Sequence, residues 1–496
     1  MDHKLPKQLA NLTIALAVSS LLFRLWLGLS LPITVDESYF YWWGVNPDWG
    51  YYDHPPMVGW LNAAMLYLLG DTALSIRLPA VILPLVVGAI IGWTFYPIDR
   101  IKATWAVILF WLTPLNWICC VITTDTPVIF WSMLSMAMLI RAELRVREGM
   151  RAFLYYALSG LFLGCAFLSK YFAVVLYLSY FVYFAIYAPR RWYLLLIVFA
   201  MSLPGPLINI WWNMGHGWAN IMFNLYTRNK DEVFSWHKPA LYLLTWIYLI
   251  TPGVVWVLVR GWKNLKGFNN FHLLKILVLV PIFFFAILSI KKVIGLHWVL
   301  NFYPLCFALL AFSLPNEKTE LCAKWMAGFA VLHLAILVGI ATTSLSNWES
   351  FREYPQVVQF FRTKELTAKI DTPDAVLMAT SYAPASLYGY TLKKYVPVFG
   401  EGTFHSRQDD LVVDFSVYAG KNIRVVTFEK PNLEEYKPYF DEVSTVQVEQ
   451  NGVFIYAVQG TNFKYQAYKD VVLKHIKERY HQVPQWLLGI QSFFHQ

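Results

Sequence analysis

Charge is scarce in this chain. Only 14% of its 496 residues are Asp, Glu, Lys or Arg, against roughly a quarter in soluble domains, which excludes an ordinary water-soluble globule. Cysteine is scarce too. The five, Cys119, Cys120, Cys165, Cys306 and Cys322, lie in or beside apolar runs without metal-ligand spacing, so they read as packing residues. No Gly-rich phosphate loop, nucleophile elbow, thiol pair or HExxH stretch occurs, and the chemistries those motifs carry are not expected. Internal repeats and low-complexity linkers are absent as well. Lys4 and Lys7 precede a long apolar run with no small-residue cleavage signal behind it, which favours a retained first helix over a removed signal peptide.

What the chain has is apolar length: 57% of it is hydrophobic and 18% aromatic. Runs of ~20 apolar residues recur through the first two-thirds, each long enough to cross ~30 Å of hydrocarbon. About eleven spans are expected, near residues 8–30, 77–97, 103–119, 127–141, 152–169, 171–187, 193–212, 240–259, 272–290, 297–314 and 324–345. The net charge of +9 does not point to nucleic acid. Its basic residues sit mostly in short loops, and their bias follows the positive-inside rule with the N-terminus inside: Arg145, Arg147 and Arg151 in one inner loop, Lys263 and Lys266 in another, against fewer, such as Arg228 and Lys230, outside. That topology brings Asp36, Glu37, Asp53, His54, Asp125, Lys170 and the 213–239 loop to one outer side.

From about residue 346 the composition turns soluble. Strands are expected at 375–379, 395–399 and 423–428, with a helix over 384–390 between the first two. A hairpin over 444–458 turns at Asn451-Gly452, a good type I′ pair. A basic amphipathic helix over 465–480 precedes an apolar tail, Trp486-Leu487-Leu488-Gly489-Ile490, suited to a membrane surface. The expected division is a membrane domain over 1–345, with its first outer loop at 31–76, and a small α/β domain over 346–496.

Candidate chemistry begins at Val35-Asp36-Glu37-Ser38-Tyr39-Phe40-Tyr41-Trp42-Trp43. On a helix, Asp36, Tyr39, Phe40 and Trp43 share one face, so a carboxylate stands on an aromatic platform; Asp36 could equally cap that helix. Tyr52-Asp53-His54-Pro55-Pro56 follows. Asp53 and His54, with His216 from the later outer loop, could hold a divalent ion, or Asp53 and His54 could fix a turn. Asp125, in Thr124-Asp125-Thr126-Pro127, also suits a helix start. Lys170, between two helices with almost no loop, is expected to face the bundle interior and hold an anion such as phosphate. Arg77 is a second candidate for anion contact, and Arg24, inside the first span, must face protein or water.

The order of these motifs, Asp36-Glu37 with aromatics, Tyr51-Tyr52-Asp53-His54-Pro55-Pro56, Arg77-Leu78-Pro79, Thr124-Asp125-Thr126-Pro127, Leu168-Ser169-Lys170-Tyr171 and His297 to Pro304, resembles bacterial membrane glycosyltransferases of the GT-C superfamily. These are related to dolichyl-phosphate-mannose–protein mannosyltransferases, and lipid A aminoarabinose transferase is a better-known relative. The resemblance covers roughly residues 10–310. It implies an α-helical polytopic GT-C protein of the bacterial inner membrane, its active site facing the periplasm and its α/β domain on that side. It also implies catalytic roles for Asp36 and Asp125 and donor-phosphate contacts from Lys170 and Arg77. Glu37, Tyr39, Trp43, Tyr52, Asp53 and His54 are then expected to contact acceptor or sugar. The relatives carry Glu-Lys-Pro where this chain has Asp53-His54-Pro55, which leaves a divalent metal on Asp53, His54 and His216 open. The implied partners are an undecaprenyl-phosphate-linked sugar, a lipid or glycolipid acceptor and the membrane. The implied reaction is inverting sugar transfer to lipid A or a related envelope acceptor. Protein O-mannosylation and transport of lipid-linked sugars are the alternatives, but charges gathered at one surface favour an enzyme over the broken midplane helices of a transporter.

Overall fold

The computed structural model describes residues 5–229, 233–261, 271–403, 405 and 407–488; Lys4, Lys230, Lys263, Lys266 and the Gly489-Ile490 end of the tail lie outside them. In chain order the helices are α1 (Lys7–Ser30), α2 (Val35–Val45), α3 (Met57–Leu69), α4 (Ala73–Phe95), α5 (Arg100–Trp111), α6 (Pro114–Ile118), α7 (Asp125–Leu144), α8 (Met150–Ser169) and α9 (Val174–Tyr187). They continue as α10 (Trp192–Ser202), α11 (Pro204–Gly215), α12 (Ala219–Leu225), α13 (His237–Ile250), α14 (Pro252–Gly261), α15 (His272–Ser289), α16 (Tyr303–Ser313) and α17 (Asn316–Thr342). The chain divides into two compact units. One comprises Met1–Leu31, Leu69–Asn209 and Asp231–Thr342, and the other Pro32–Leu68, Ile210–Lys230 and Thr343–Gln496. Two loop segments between spanning helices therefore cluster with the C-terminal residues.

Among the described residues seven helical stretches are long and apolar enough to cross a membrane: α1, α4, α7, α8, residues Pro189–Gly215, α15 and α17; all fall in the first unit except the Ile210–Gly215 end of one. The α13–α14 pair makes an eighth if counted as one span, bent by 93°. The bend has a local cause: Thr251 takes φ 71°, and Pro252 has no N–H with which to continue the helix. The other three expected segments form shorter helices. Residues 103–119 split into α5 and α6 where Pro114 opens a new first turn, 171–187 begins with a 3-10 turn before α9, and 297–314 reaches regular helix only at Tyr303.

Tight helix packing here rests on missing side chains. A Cβ on Gly160 of α8 would fall on the Val198 carbonyl of α10, and one on Gly164 would lie 2.8 Å from the Ser202 carbonyl. Glycines four residues apart thus let two backbones touch, the main source of helix association where lipid offers apolar contact of its own.

The second unit carries a four-stranded sheet, β1 (Val376–Ala379), β2 (Ile423–Thr427), β3 (Glu442–Gln450) and β4 (Val453–Thr461), in the order β1-β2-β4-β3. β1 and β2 run parallel, and their crossover carries a helix at Tyr382–Leu392. The expected hairpin is present. Gln450 pairs with Val453, and Asn451 and Gly452 take φ 50° and 74°, the positive values a type I′ turn needs. The 395–399 run contributes a single parallel bridge, Ala379 to Val398, rather than a strand. Residues 465–480 are helical with a π turn at Lys469–Leu473.

Gly160→Leu forces α8 and α10 apart, and its expected effect is a fall of several degrees in the thermal midpoint of the detergent-solubilised protein, whereas Gly328→Leu, at a site open to its surroundings, leaves the midpoint unchanged; equal effects at both positions would remove the close-contact argument.

Candidate functional site

Candidate groups occur in both units. In the second unit, α2 starts with a capping box. Thr34 Oγ1 accepts from the Glu37 amide at 3.2 Å, and the Glu37 carboxylate accepts from the Thr34 amide at 3.0 Å. Both orphan donors of the first turn are thereby satisfied. This corrects two expectations: Thr34, not Asp36, is the cap, and Glu37 is fully buried as a capping partner rather than open to an acceptor. Asp36 is left exposed at the first turn, at the end of a face whose Tyr39, Phe40 and Trp43 are buried.

Those aromatics are tightly engaged. Trp43 stacks on Tyr51 at 4.1 Å between centroids, and Tyr51 donates its hydroxyl to the Trp43 carbonyl at 2.9 Å. The following loop is pinned by amides. Asn220 of α12 donates to the Tyr51 carbonyl at 2.7 Å, Asn224 to the Asp53 carbonyl at 3.1 Å, and the Tyr52 amide to Gln408 at 2.7 Å. Tyr52 itself is 1% exposed, with its ring on Phe223, so it lies beneath the site rather than facing an acceptor.

Asp53 is the product of this arrangement. It is buried, accepts from the Tyr39 hydroxyl at 3.3 Å and has His54 Nε2 at 3.9 Å. Burial pushes its carboxyl up to about 7; its own backbone amide, the Tyr39 hydroxyl and the Arg228 guanidinium oppose that rise, and the Asp36 carboxylate adds to it. Asp36 and Asp53 thus feel one another's charge, one exposed and one buried, an arrangement that pushes two carboxylates toward different protonation states. Arg228 is the residue that sequence reasoning counted only as loop charge. It lies in Thr227-Arg228-Asn229, where no motif marks it, and burial lowers its pKa while Asp53 raises it.

His216 does not join this group. Its ring stacks on Trp212 at 4.2 Å, with Nδ1 2.8 Å from the Trp212 carbonyl and Nε2 3.9 Å from Asp48. Among the described residues no three His, Cys, Asp or Glu side chains gather to hold a metal ion. Asp53, His54 and His216, expected together as a metal set, are therefore not gathered at one point, His216 being held by Trp212 and Asp48.

In the first unit, Lys170 ends α8 in extended backbone, φ −164°, just before the 3-10 turn at Tyr171–Ala173. As expected for so tight a corner, its side chain is buried, and Nζ lies 2.7 Å from Asp125 Oδ1. Asp125 stands in the first turn of α7 with its carboxylate on this cation, so it is more than a helix start. It lines a mostly aliphatic cavity of about 240 Å³, together with Asn116, Thr123, His297 and Tyr303. Arg77 is placed otherwise than expected. Fully buried, it donates from Nη1 to the Gly28 and Leu31 carbonyls at 2.8 and 2.7 Å, closing the C-terminal end of α1, where carbonyls lack helical partners. Arg24 is buried as well. Its Nε donates to the Ser20 carbonyl, while its two terminal nitrogens have no partner among the described residues.

Known proteins resemble this chain in sequence and in fold. Residues 53–211 match the family model described as dolichyl-phosphate-mannose-protein mannosyltransferase. Lipid A galacturonosyltransferase RgtD of Rhizobium johnstonii is 24% identical over 225 residues, which is 42% of this chain and 43% of that protein; the matched stretch thus spans less than half of its length. The crystal structure of ArnT from Cupriavidus metallidurans in the apo state superposes with a TM-score of 0.65 at 13% identity, covering 90% of this chain and 97% of ArnT. The same protein bound to undecaprenyl phosphate gives a TM-score of 0.62 with the same identity and coverage.

Two outcomes test this geometry. Asp53, raised from 3.8 to about 7, costs the folded state stability as pH climbs through that window, because the unfolded chain ionises first; the thermal midpoint is expected to fall from about pH 4 to 7 more steeply in the wild type than in Asp53→Asn, and parallel slopes would refute the burial argument. Lys170→Met leaves the Asp125 carboxylate without its cation and is expected to cost about 3–5 kcal/mol, most of it recovered when Asp125→Asn is added; a double variant no more stable than the single one would deny the coupling. By fold and sequence, then, the chain is a multi-pass membrane protein with the fold of ArnT, similar through residues 53–211 to the dolichyl-phosphate-mannose-protein mannosyltransferases.

Proposed function

We propose that the protein is an inverting glycosyltransferase that moves one sugar from a polyprenyl-phosphate donor to lipid A or a related lipopolysaccharide acceptor at the outer, periplasmic face of the inner membrane. The observation that carries this reading is the buried Lys170–Asp125 pair beside an aliphatic cavity. A donor of this class needs both an apolar wall for isoprenoid and a fixed cation for phosphate. RgtD, a lipid A galacturonosyltransferase by name, and ArnT, whose crystals hold undecaprenyl phosphate, support the choice of acceptor and donor.

In this reading the acceptor oxygen attacks the anomeric carbon while the bond from that carbon to the phosphate oxygen breaks. The electron pair leaves with polyprenyl phosphate, whose developing charge the Lys170 ammonium stabilises. Asp36, exposed and flanked by aromatics, takes the proton of an acceptor hydroxyl, or orients an acceptor that is already an anionic phosphate. Asp53, with its carboxyl pushed up to about 7, carries less negative charge beside Asp36 than an ordinary carboxylate would. Tyr39 holds Asp53 in place through its hydroxyl. The family description matching residues 53–211 names a protein acceptor, and protein O-mannosylation is the second reading.

Mass spectrometry of lipid A, core and envelope proteins from cells with and without the chain separates the two, a hexose, hexosamine or pentosamine missing from lipid A or core being the expected result. Asp36→Asn is expected to lower turnover by roughly 10²–10⁴-fold at unchanged protein level, and near-normal sugar transfer in membranes would sink the base assignment.

A further inference from the structure

A wide groove in the second unit shares only Tyr39 with the steps above. It encloses about 910 Å³, toward the upper end of the 300–1,000 Å³ common for small-molecule sites. Seven aromatic side chains line it: Tyr39, Trp42, Trp43, Tyr51, Tyr382, Tyr395 and Tyr418. Trp42, Tyr382, Tyr395 and Tyr418 are half-buried, so part of each ring is open. Between them stand three carboxylates, Asp48, Asp409 and Asp414, with the amides of Asn46 and Gln408. Among the described residues lining it there is no Lys, Arg or His.

That composition selects a ligand. His216 lies 3.9 Å from Asp48 and the Arg407 guanidinium acts on Asp409, but the lining itself offers carboxylates and no cation, a face that disfavours phosphate and uronic acids. Each carboxylate has spare acceptor capacity, since an ionised carboxyl offers about four lone-pair sites. Asp409 uses two of its own, taking the Tyr395 hydroxyl and the Val398 amide, both at 2.6 Å; Asp414 takes the Ser416 amide at 2.9 Å. Open aromatic faces alternating with hydroxyl acceptors match pyranose rings, which present an apolar C–H face and an equatorial belt of hydroxyls. Trp43, only 2% exposed, forms part of the groove wall, and its indole nitrogen is buried with no partner among the described residues. The groove also reaches the candidate chemistry, because Tyr39 lines it while donating to Asp53.

We infer that this groove binds a chain of uncharged pyranose sugars, the glycan part of the acceptor, and so deepens the glycosyltransferase reading on which that assignment of the ligand rests. It holds the acceptor by its sugars while a reacting oxygen is presented toward Asp36 and Asp53.

The test uses the full chain in detergent, titrated with neutral tetrasaccharides of glucose, mannose and N-acetylglucosamine and, as the anionic counterpart, tetragalacturonate. Binding is read by tryptophan fluorescence and saturation-transfer NMR. At least one neutral tetrasaccharide is expected to bind at millimolar concentration and tetragalacturonate about tenfold more weakly. Tyr418→Ala and Asp414→Asn, both remote from Asp36 in sequence and both at exposed or half-buried positions, are each expected to weaken binding by about three- to tenfold, the worth of one ring or hydrogen-bond contact. No binding by any neutral sugar, a preference for tetragalacturonate, or binding indifferent to both variants overturns the groove. Sugar transfer measured on the same preparations keeps the two ideas apart: transfer without glycan binding defeats the groove alone, and variant-sensitive binding without transfer sustains the groove while defeating the catalytic reading.

Discussion

Hydrocarbon offers a buried polar group nothing to bond to, and much of the membrane unit answers that constraint. Its helices satisfy their own amides, but helix ends, prolines and ionised side chains leave groups that must be paid off locally. Arg77 supplies donors to the carbonyls at the end of α1. Lys170 and Asp125 neutralise each other where α8 and α7 meet. Glu143, toward the far end of α7, accepts from Tyr156 and Tyr183 and pairs with Arg191. Every one of these groups holds a specific partner, so the helices have one register relative to each other rather than several.

The second unit meets the same penalty in a different way. Asp53 is buried with only a phenol, its own backbone amide and a neighbouring guanidinium to oppose the desolvation, and its proton affinity rises as a result. Two amides from α12 hold the loop's carbonyls, which fixes the backbone that carries the carboxyl. A carboxyl held near half-protonation beside an exposed one is costly for folding, and such costs concentrate where chemistry is done.

Much of this was legible in the residues, and the exceptions have physical causes. Hydropathy located the long spans, and the bare Ser169-Lys170-Tyr171 corner made a buried lysine readable because there was no loop through which to snorkel. The Asn451-Gly452 turn was legible because few other residue pairs accept two positive φ values. Glu37 was misread because Thr34-x-x-Glu37 is a capping box whose cap lies one step outside the acidic stretch that drew attention. Arg77 looked like an anion contact because its partners are backbone carbonyls, which leave no trace in composition. His216 and Arg228 depended on long-range packing: one is claimed by Trp212 and Asp48, the other reaches Asp53 from 175 positions away in the chain. The groove was likewise invisible, its walls coming from four separate stretches between Tyr39 and Tyr418.

The Lys170–Asp125 contact fixes how two helices stand against each other. α7 and α8 form a helical hairpin, and the two charges stand at the same end of it, one opening the first helix and the other closing the second. Standing alone in hydrocarbon, each charge would cost about 2.5–3.5 kcal/mol near the midplane on insertion scales. Paired, they face their surroundings as a neutral dipole, so neither helix can slide or turn against the other without exposing a bare charge.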